Sequence, residues 1–217
     1  MMKSIKIVKF PFCNYFSLAR YLKVKSIDHS LLSASEFLSK DSIIILPGVG
    51  SFASAMQYLR ESNLLDLITD HFQGGGKIMG ICLGMQILFD FSDESPAKKG
   101  LGFIKGSCKQ IPKNSFFPVP HMGWNSLVFP NSSQLFLGSN SYDMNYSYSE
   151  LDYYFVHSYY ASPENSSIIS AFFEHPSGLL CASIIDQNII AFQFHPEKSG
   201  KAGYKLLDKA FEYLEHL

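Results

Sequence analysis

The sequence has no unbroken apolar stretch near the roughly 18 residues a membrane-spanning helix needs. Its opening segment, MMKSIKIVKFPF, lacks the continuous hydrophobic core of a secretory signal. Neither a membrane partner nor secretion is expected, and the reading places the chain in the cytoplasm. Cysteine is scarce and scattered (Cys13, Cys82, Cys108, Cys181), with no C-x-x-C pair. That argues against a zinc site or a redox dithiol and suits a reducing compartment. Charge of either sign is in short supply: 17% of residues are charged and the net charge is -1. A nucleic-acid-binding surface would need a basic patch, so that class is disfavoured. Internal repeats, charged tails, domain linkers and a glycine-rich phosphate loop are also missing. What is present is a 47% hydrophobic composition over 217 residues. One domain spanning residues 1–217 is expected, large enough for a sizeable core without disulfides.

Taken in order, residues 5–8 predict a strand and residues 14–24 a helix with Tyr15, Leu18, Ala19 and Leu22 at helical spacing. Ser42 to Leu46 is a β-branched run of the sort buried on both faces of a parallel sheet. Ser51 is placed to cap a helix over 52–60, and a second helix is predicted over 64–72. Residues 78–81 predict another buried strand, and 83–91 a helix. Alternating strands and helices imply a parallel α/β sheet. Residues 100–160 contain no helical pattern and read as strands and loops, with some antiparallel pairing at one edge. Within them, the Ser/Asn/Tyr-rich segment 131–150 reads as a surface excursion. Further strands are expected over 153–156, 168–173, 179–185 and 189–194, the last two joined by a tight turn at Gln187-Asn188. An amphipathic helix over 201–217 closes the chain. The fold class is therefore α/β: an open, mostly parallel, twisted sheet with flanking helices and an antiparallel edge.

The chemistry centres on Gly80-Ile81-Cys82-Leu83-Gly84. This is the thiol counterpart of the G-x-S-x-G elbow, in which a strained strand-to-helix turn lifts a nucleophile off the sheet. A cysteine there meets the positive end of a helix, which favours the thiolate. A thiolate also needs a general base, and the base an orienting group. Ligands of open α/β sheets gather at the carboxyl ends of strands. That singles out His195 among the seven histidines, with Glu197 two residues on to hold the imidazole tautomer. For the oxyanion of acyl transfer, the Leu83 amide is the natural first donor. The Pro47-Gly48-Val49-Gly50 turn can supply a second.

PGVGSF, GICLGMQ and FHPEKS together resemble the class I (triad) glutamine amidotransferases, which cleave glutamine with a Cys-His-Glu triad and release ammonia. PHMGWN (120–125) and YFVHSY (154–159) are similar to the branch that serves imidazole glycerol phosphate synthase in histidine biosynthesis. The resemblance implies a flavodoxin-like amidotransferase fold and no cofactor. It implies Cys82 as nucleophile, His195 as base and then acid, Glu197 as orienter, and the backbone of Gly48, Val49, Gly50 and Leu83 as oxyanion hole. Gln86, Glu94, His157, Ser158 and Tyr159 match positions that hold glutamine. The implied partner is a separate (β/α)₈-barrel synthase subunit in a heterodimer, with Asn14, Met122, Trp124 and Lys198 near the interface. The N-terminal segment departs from the family's I-D-Y-G-x-G-N-L: the aspartate is Lys9 and the two glycines are Pro11 and Cys13, while Asn14 is kept. An alternative therefore stays open, a paralogue feeding another synthase, such as one amidinating a surface-polysaccharide sugar.

Overall fold

The computed structural model describes residues 4–13, 15–130 and 152–217. The segment 131–150, expected as a surface excursion, lies outside them, as does Asn14. Apart from β2, the first half follows the expected elements: β1 (Ile5–Ile7), α1 (Phe16–Val24), β2 (His29–Leu31), β3 (Ile43–Leu46), α2 (Phe52–Glu61), α3 (Leu64–Gln73) and β4 (Lys77–Ile81). Ser51 caps α2, its side chain accepting from the Ser54 amide at 3.2 Å. A one-turn helix, α4 (Leu83–Gln86), follows β4 directly, and then come β5 (Phe89–Ser92), β6 (Ile104–Gln110), β7 (His121–Ser126), β8 (Asp152–His157) and β9 (Tyr159–Pro163). The chain ends with β10 (Ile169–His175), β11 (Gly178–Asp186), β12 (Ile189–Phe192) and a helix, α5 (Gly200–His216).

Seven strands form the main sheet in the order β10-β11-β12-β4-β3-β1-β2. From β2 to β12 they run parallel, while β11 and β10 turn back as antiparallel hairpin strands. Strand β3 shows why the sheet is central. Ile43 and Ile45 face the layer containing α1 and α5, with Leu18, Tyr21, Leu207 and Phe211. Ile44 and Leu46 face the layer containing α2 and α3, with Phe52, Met56 and Ile68. Side chains alternate with period two, so a wholly apolar strand serves both layers at once. Among the described residues no helix is long and apolar enough to cross a membrane.

Three expectations are corrected. The helix expected over 83–91 ends at Gln86, because the Ile87 and Leu88 carbonyls accept from Leu101 and Ile104 (2.8 and 3.1 Å) instead of continuing the helical ladder. Strand pairing of Phe89–Ser92 with β6 overrides the local helical spacing. The antiparallel edge is built by β10 and β11, whereas 89–163 leaves the main sheet as a three-stranded sheet (β5-β6-β9) and a two-stranded ribbon (β7-β8). The strand expected to 194 stops at Phe192, since the His195 amide turns aside to the Tyr154 carbonyl at 2.8 Å. Strand β2 went unread because its three residues are all exposed and carry no hydrophobic pattern.

Candidate active site

Parallel register sets Phe192 beside Ile81, so the chain beyond β12 and the chain beyond β4 emerge at the same end of the sheet. Cys82 stands in the turn after β4 with φ +52° and ψ -106°, a strained conformation for a residue with a Cβ. Its amide is tied to the Phe192 carbonyl at 2.7 Å. The flanking glycines are demanded by packing: a Cβ on Gly84 would fall 1.7 Å from the Leu46 carbonyl oxygen, and one on Gly80 would fall 2.9 Å from the Gly84 backbone. Because α4 is only one turn long, the helix dipole expected to act on the sulfur is correspondingly short.

His195 is buried where the chain leaves β12, and its Nδ1 donates to Glu197 Oε1 at 2.8 Å. That fixes the tautomer and leaves Nε2 as a lone pair. No nitrogen or oxygen among the described residues takes Nε2, and the imidazole interacts with the Cys82 side chain. Burial alone would lower the imidazole pKa. The neighbouring Cys82 sulfur and the Glu197 carboxylate outweigh it and push the value up to about 10. Such a pair can take a proton from sulfur and hold it.

A cavity of about 230 Å³ opens beside Cys82. Of the residues expected around substrate, Val49, Gly50, Leu83, Gln86, Glu94, His157, Ser158 and Tyr159 all line it. Gly48 lies one step back, with Leu83 packed against it. Several of these side chains already have partners. Glu94 accepts from the Phe52 amide at 2.7 Å. His157 donates from Nδ1 to the Tyr159 carbonyl at 2.8 Å, so its Nε2 accepts from His121 Nδ1 at 3.1 Å. Both rings are neutral: burial lowers the pKa of His157 to about 3 and of His121 to about 4. The Leu83 amide is not free for an oxyanion, because it donates to the Gly48 carbonyl at 3.3 Å. Met122, Trp124 and Lys198 are exposed, so core packing does not account for the first two. Among the described residues no group of three or more His, Cys, Asp or Glu side chains could hold a metal ion.

Sequence reasoning missed Gln193. It is fully buried beneath the nucleophile, with Nε2 3.8 Å from Cys82 Sγ and Oε1 accepting from Gln86 Nε2 at 3.2 Å. Its signal was available as the one amide interrupting the apolar run Ile189 to Phe194.

With this geometry in view, comparison with known proteins is direct. A family model described as "Glutamine amidotransferase class-I" matches residues 13–213. The chain is 37% identical over 212 residues to the imidazole glycerol phosphate synthase subunit HisH of Geobacillus thermodenitrificans, covering 96% of this chain and 95% of that one. A relative of the same description from Cyanophora paradoxa is 36% identical over 205 residues, covering 94% and 91%, and one from Streptococcus gordonii is 41% identical over 180 residues, covering 82% and 81%. Among solved structures, a glutamine amidotransferase superposes with a TM-score of 0.71 at 17% identity, covering 98% of this chain and 99% of that one. The structure of PurLQS from Thermotoga maritima gives 0.70 at 20% identity, covering 99% and 100%.

Proposed function

We propose that this chain, which belongs to the class I glutamine amidotransferases, is the glutaminase subunit of an imidazole glycerol phosphate synthase. It would act as one amidotransferase domain. The observation that carries the reading is the meeting of Cys82, His195 and Glu197 beside one cavity lined by the expected glutamine-binding residues. The shared description of the relatives supports the histidine pathway and does not favour the sugar-amidinating alternative.

In this reading His195 Nε2 takes the Cys82 thiol proton as Sγ bonds to the carboxamide carbon of glutamine. The oxyanion is held by the Leu83 amide and a backbone N–H of the Gly48–Gly50 turn. The imidazolium then passes its proton to the departing nitrogen, and ammonia leaves a thioester. Water, deprotonated by His195, releases glutamate and restores the thiol. Gln86, through its side-chain Oε1, the His157-Ser158-Tyr159 segment and Glu94 suit the amino acid end of glutamine. Ammonia in bulk water becomes unreactive ammonium, so it must pass directly to a (β/α)₈-barrel partner, docked near Asn14, Met122, Trp124 and Lys198.

The Gly48–Leu83 hydrogen bond gives a reason for control by the partner: until that carbonyl turns away, the Leu83 donor is occupied. Glutaminase assays with and without the barrel subunit and its acceptor test the reading. Low activity alone, strong stimulation by partner and acceptor, and none with Cys82→Ala are expected. Undiminished glutamate release by Cys82→Ala would overturn it.

A further inference from the structure

Below the pocket, three amides form a directed chain. The Tyr159 carbonyl can only accept, so Gln86 must present its NH₂ group there, at 2.9 Å. The same NH₂ group donates to Gln193 Oε1 at 3.2 Å, which orients the Gln193 carboxamide with its own NH₂ group toward Cys82 Sγ, 3.8 Å away. Gln193 is fully buried, in the stretch where β12 gives way to His195, and its backbone amide is anchored to the Ala182 carbonyl at 2.8 Å. The sulfur therefore has neighbours of opposite preference. The Val156 carbonyl, 3.7 Å from Sγ, can accept only from a protonated thiol. The Gln193 NH₂ group can donate to sulfur in either state and is held more strongly by a thiolate.

We infer that Gln193, oriented through Gln86 by the Tyr159 carbonyl, is a hydrogen-bond donor to the Cys82 thiolate that acidifies the sulfur. This deepens the glutaminase reading and rests on Cys82 being its nucleophile. Once His195 holds the proton, the bond to Val156 is lost, and sulfur is held by donors from His195 and Gln193. An apolar side chain in place of Gln193 would leave the imidazolium as the only one of those two donors. The other titratable groups around the sulfur are Glu197 behind His195, Cys13 from the N-terminal loop, and His157, Tyr159 and Glu94 on the cavity wall. None of them replaces the Gln193 bond.

The test is the pH dependence of Cys82 alkylation by iodoacetamide, read peptide by peptide so that the half-buried Cys13 serves as internal control and any labelling of the buried Cys108 and Cys181 reports unfolding. Wild type is compared with Gln193→Met, Gln193→Glu and Gln86→Met. The midpoint belongs to the coupled Cys82–His195 pair. It should rise by about one pH unit in Gln193→Met, further in Gln193→Glu, whose carboxylate repels the thiolate, and by less in Gln86→Met. Glutaminase kcat should fall about tenfold in Gln193→Met with KM for glutamine little changed. An unmoved Cys82 midpoint in Gln193→Met and Gln193→Glu would overturn the inference, as would an equal change at Cys13. Should Gln193→Met fail to fold, the isosteric Gln193→Glu and the more remote Gln86→Met decide it. Because alkylation needs neither glutamine nor partner, its outcome is separate from the Cys82→Ala assay of the function itself.

Discussion

At the scale of single residues, two sets of histidines live under opposite rules. His195 is bound to a carboxylate and beside a sulfur, which hold its charged form against burial. Glu197→Gln removes that charge and permits the wrong tautomer, so kcat should fall about a hundredfold or more, with glutamine KM nearly kept, in steady-state glutaminase assays. His121 and His157 have each other and a carbonyl, with no anion to favour a proton. Their folded pKa values lie near 4 and 3, below the 6.5 of an unfolded histidine. Between those limits the unfolded chain binds more protons at these two sites, so the stability they contribute is whole above about pH 6.5 and is lost as pH falls toward 4. Denaturant unfolding at pH 5, 6 and 7 should show this loss. His121→Gln keeps a donor for His157 but takes up no proton, and should lessen the slope by up to about one proton.

At the scale of elements, the site depends on how closely α4 can approach β3. The closeness of Gly84 to Leu46 leaves no room for a methyl group, so Gly84→Ala must push the elbow off the sheet. Thermal melts should show a loss of about 1–3 kcal/mol, from overpacking, with glutaminase activity falling further than stability. The elbow was legible in the sequence because its constraint is local: two glycines around a cysteine between a buried strand and a turn. His195 and Glu197 were legible because a parallel sheet gathers strand ends. The helix expected beyond Gln86 was misread because its end is set by Leu101 and Ile104, more than a dozen positions downstream. Likewise β2 carries no pattern of its own and exists because Leu31, Ser30 and His29 pair with β1. Gln193 stood out as the one amide in an apolar run, but its role was not legible for a related reason. A buried amide declares a role only when its partners, Gln86 and Cys82, are placed beside it.

At the scale of the whole molecule, the pocket and an exposed apolar face share one ribbon. Strand β8 ends at His157, the chain from Val156 to Tyr159 lines the cavity, and β7 carries Met122 and Trp124 outward. These two are 63% and 57% exposed, well beyond what a side chain packed in a core would show. Trp124 stands edge-on to Tyr154 with centroids 5.8 Å apart, and Tyr154 in turn lies 6.4 Å from the His195 ring. A partner covering Trp124 would thus bury an aromatic anchor connected through one ring to the base of the reaction. Large aromatic anchors at the centre of an interface dominate its energy. Trp124→Ala should therefore weaken binding of the partner subunit about thirtyfold or more in titration calorimetry, and Met122→Ala less. Melting of the isolated chain should be unchanged, because the Trp124 side chain contributes little to its core. At saturating partner, glutaminase stimulation should return in Met122→Ala but stay incomplete in Trp124→Ala if the Tyr154 contact helps to seat His195. Unaltered affinity in both variants would place the partner on another face.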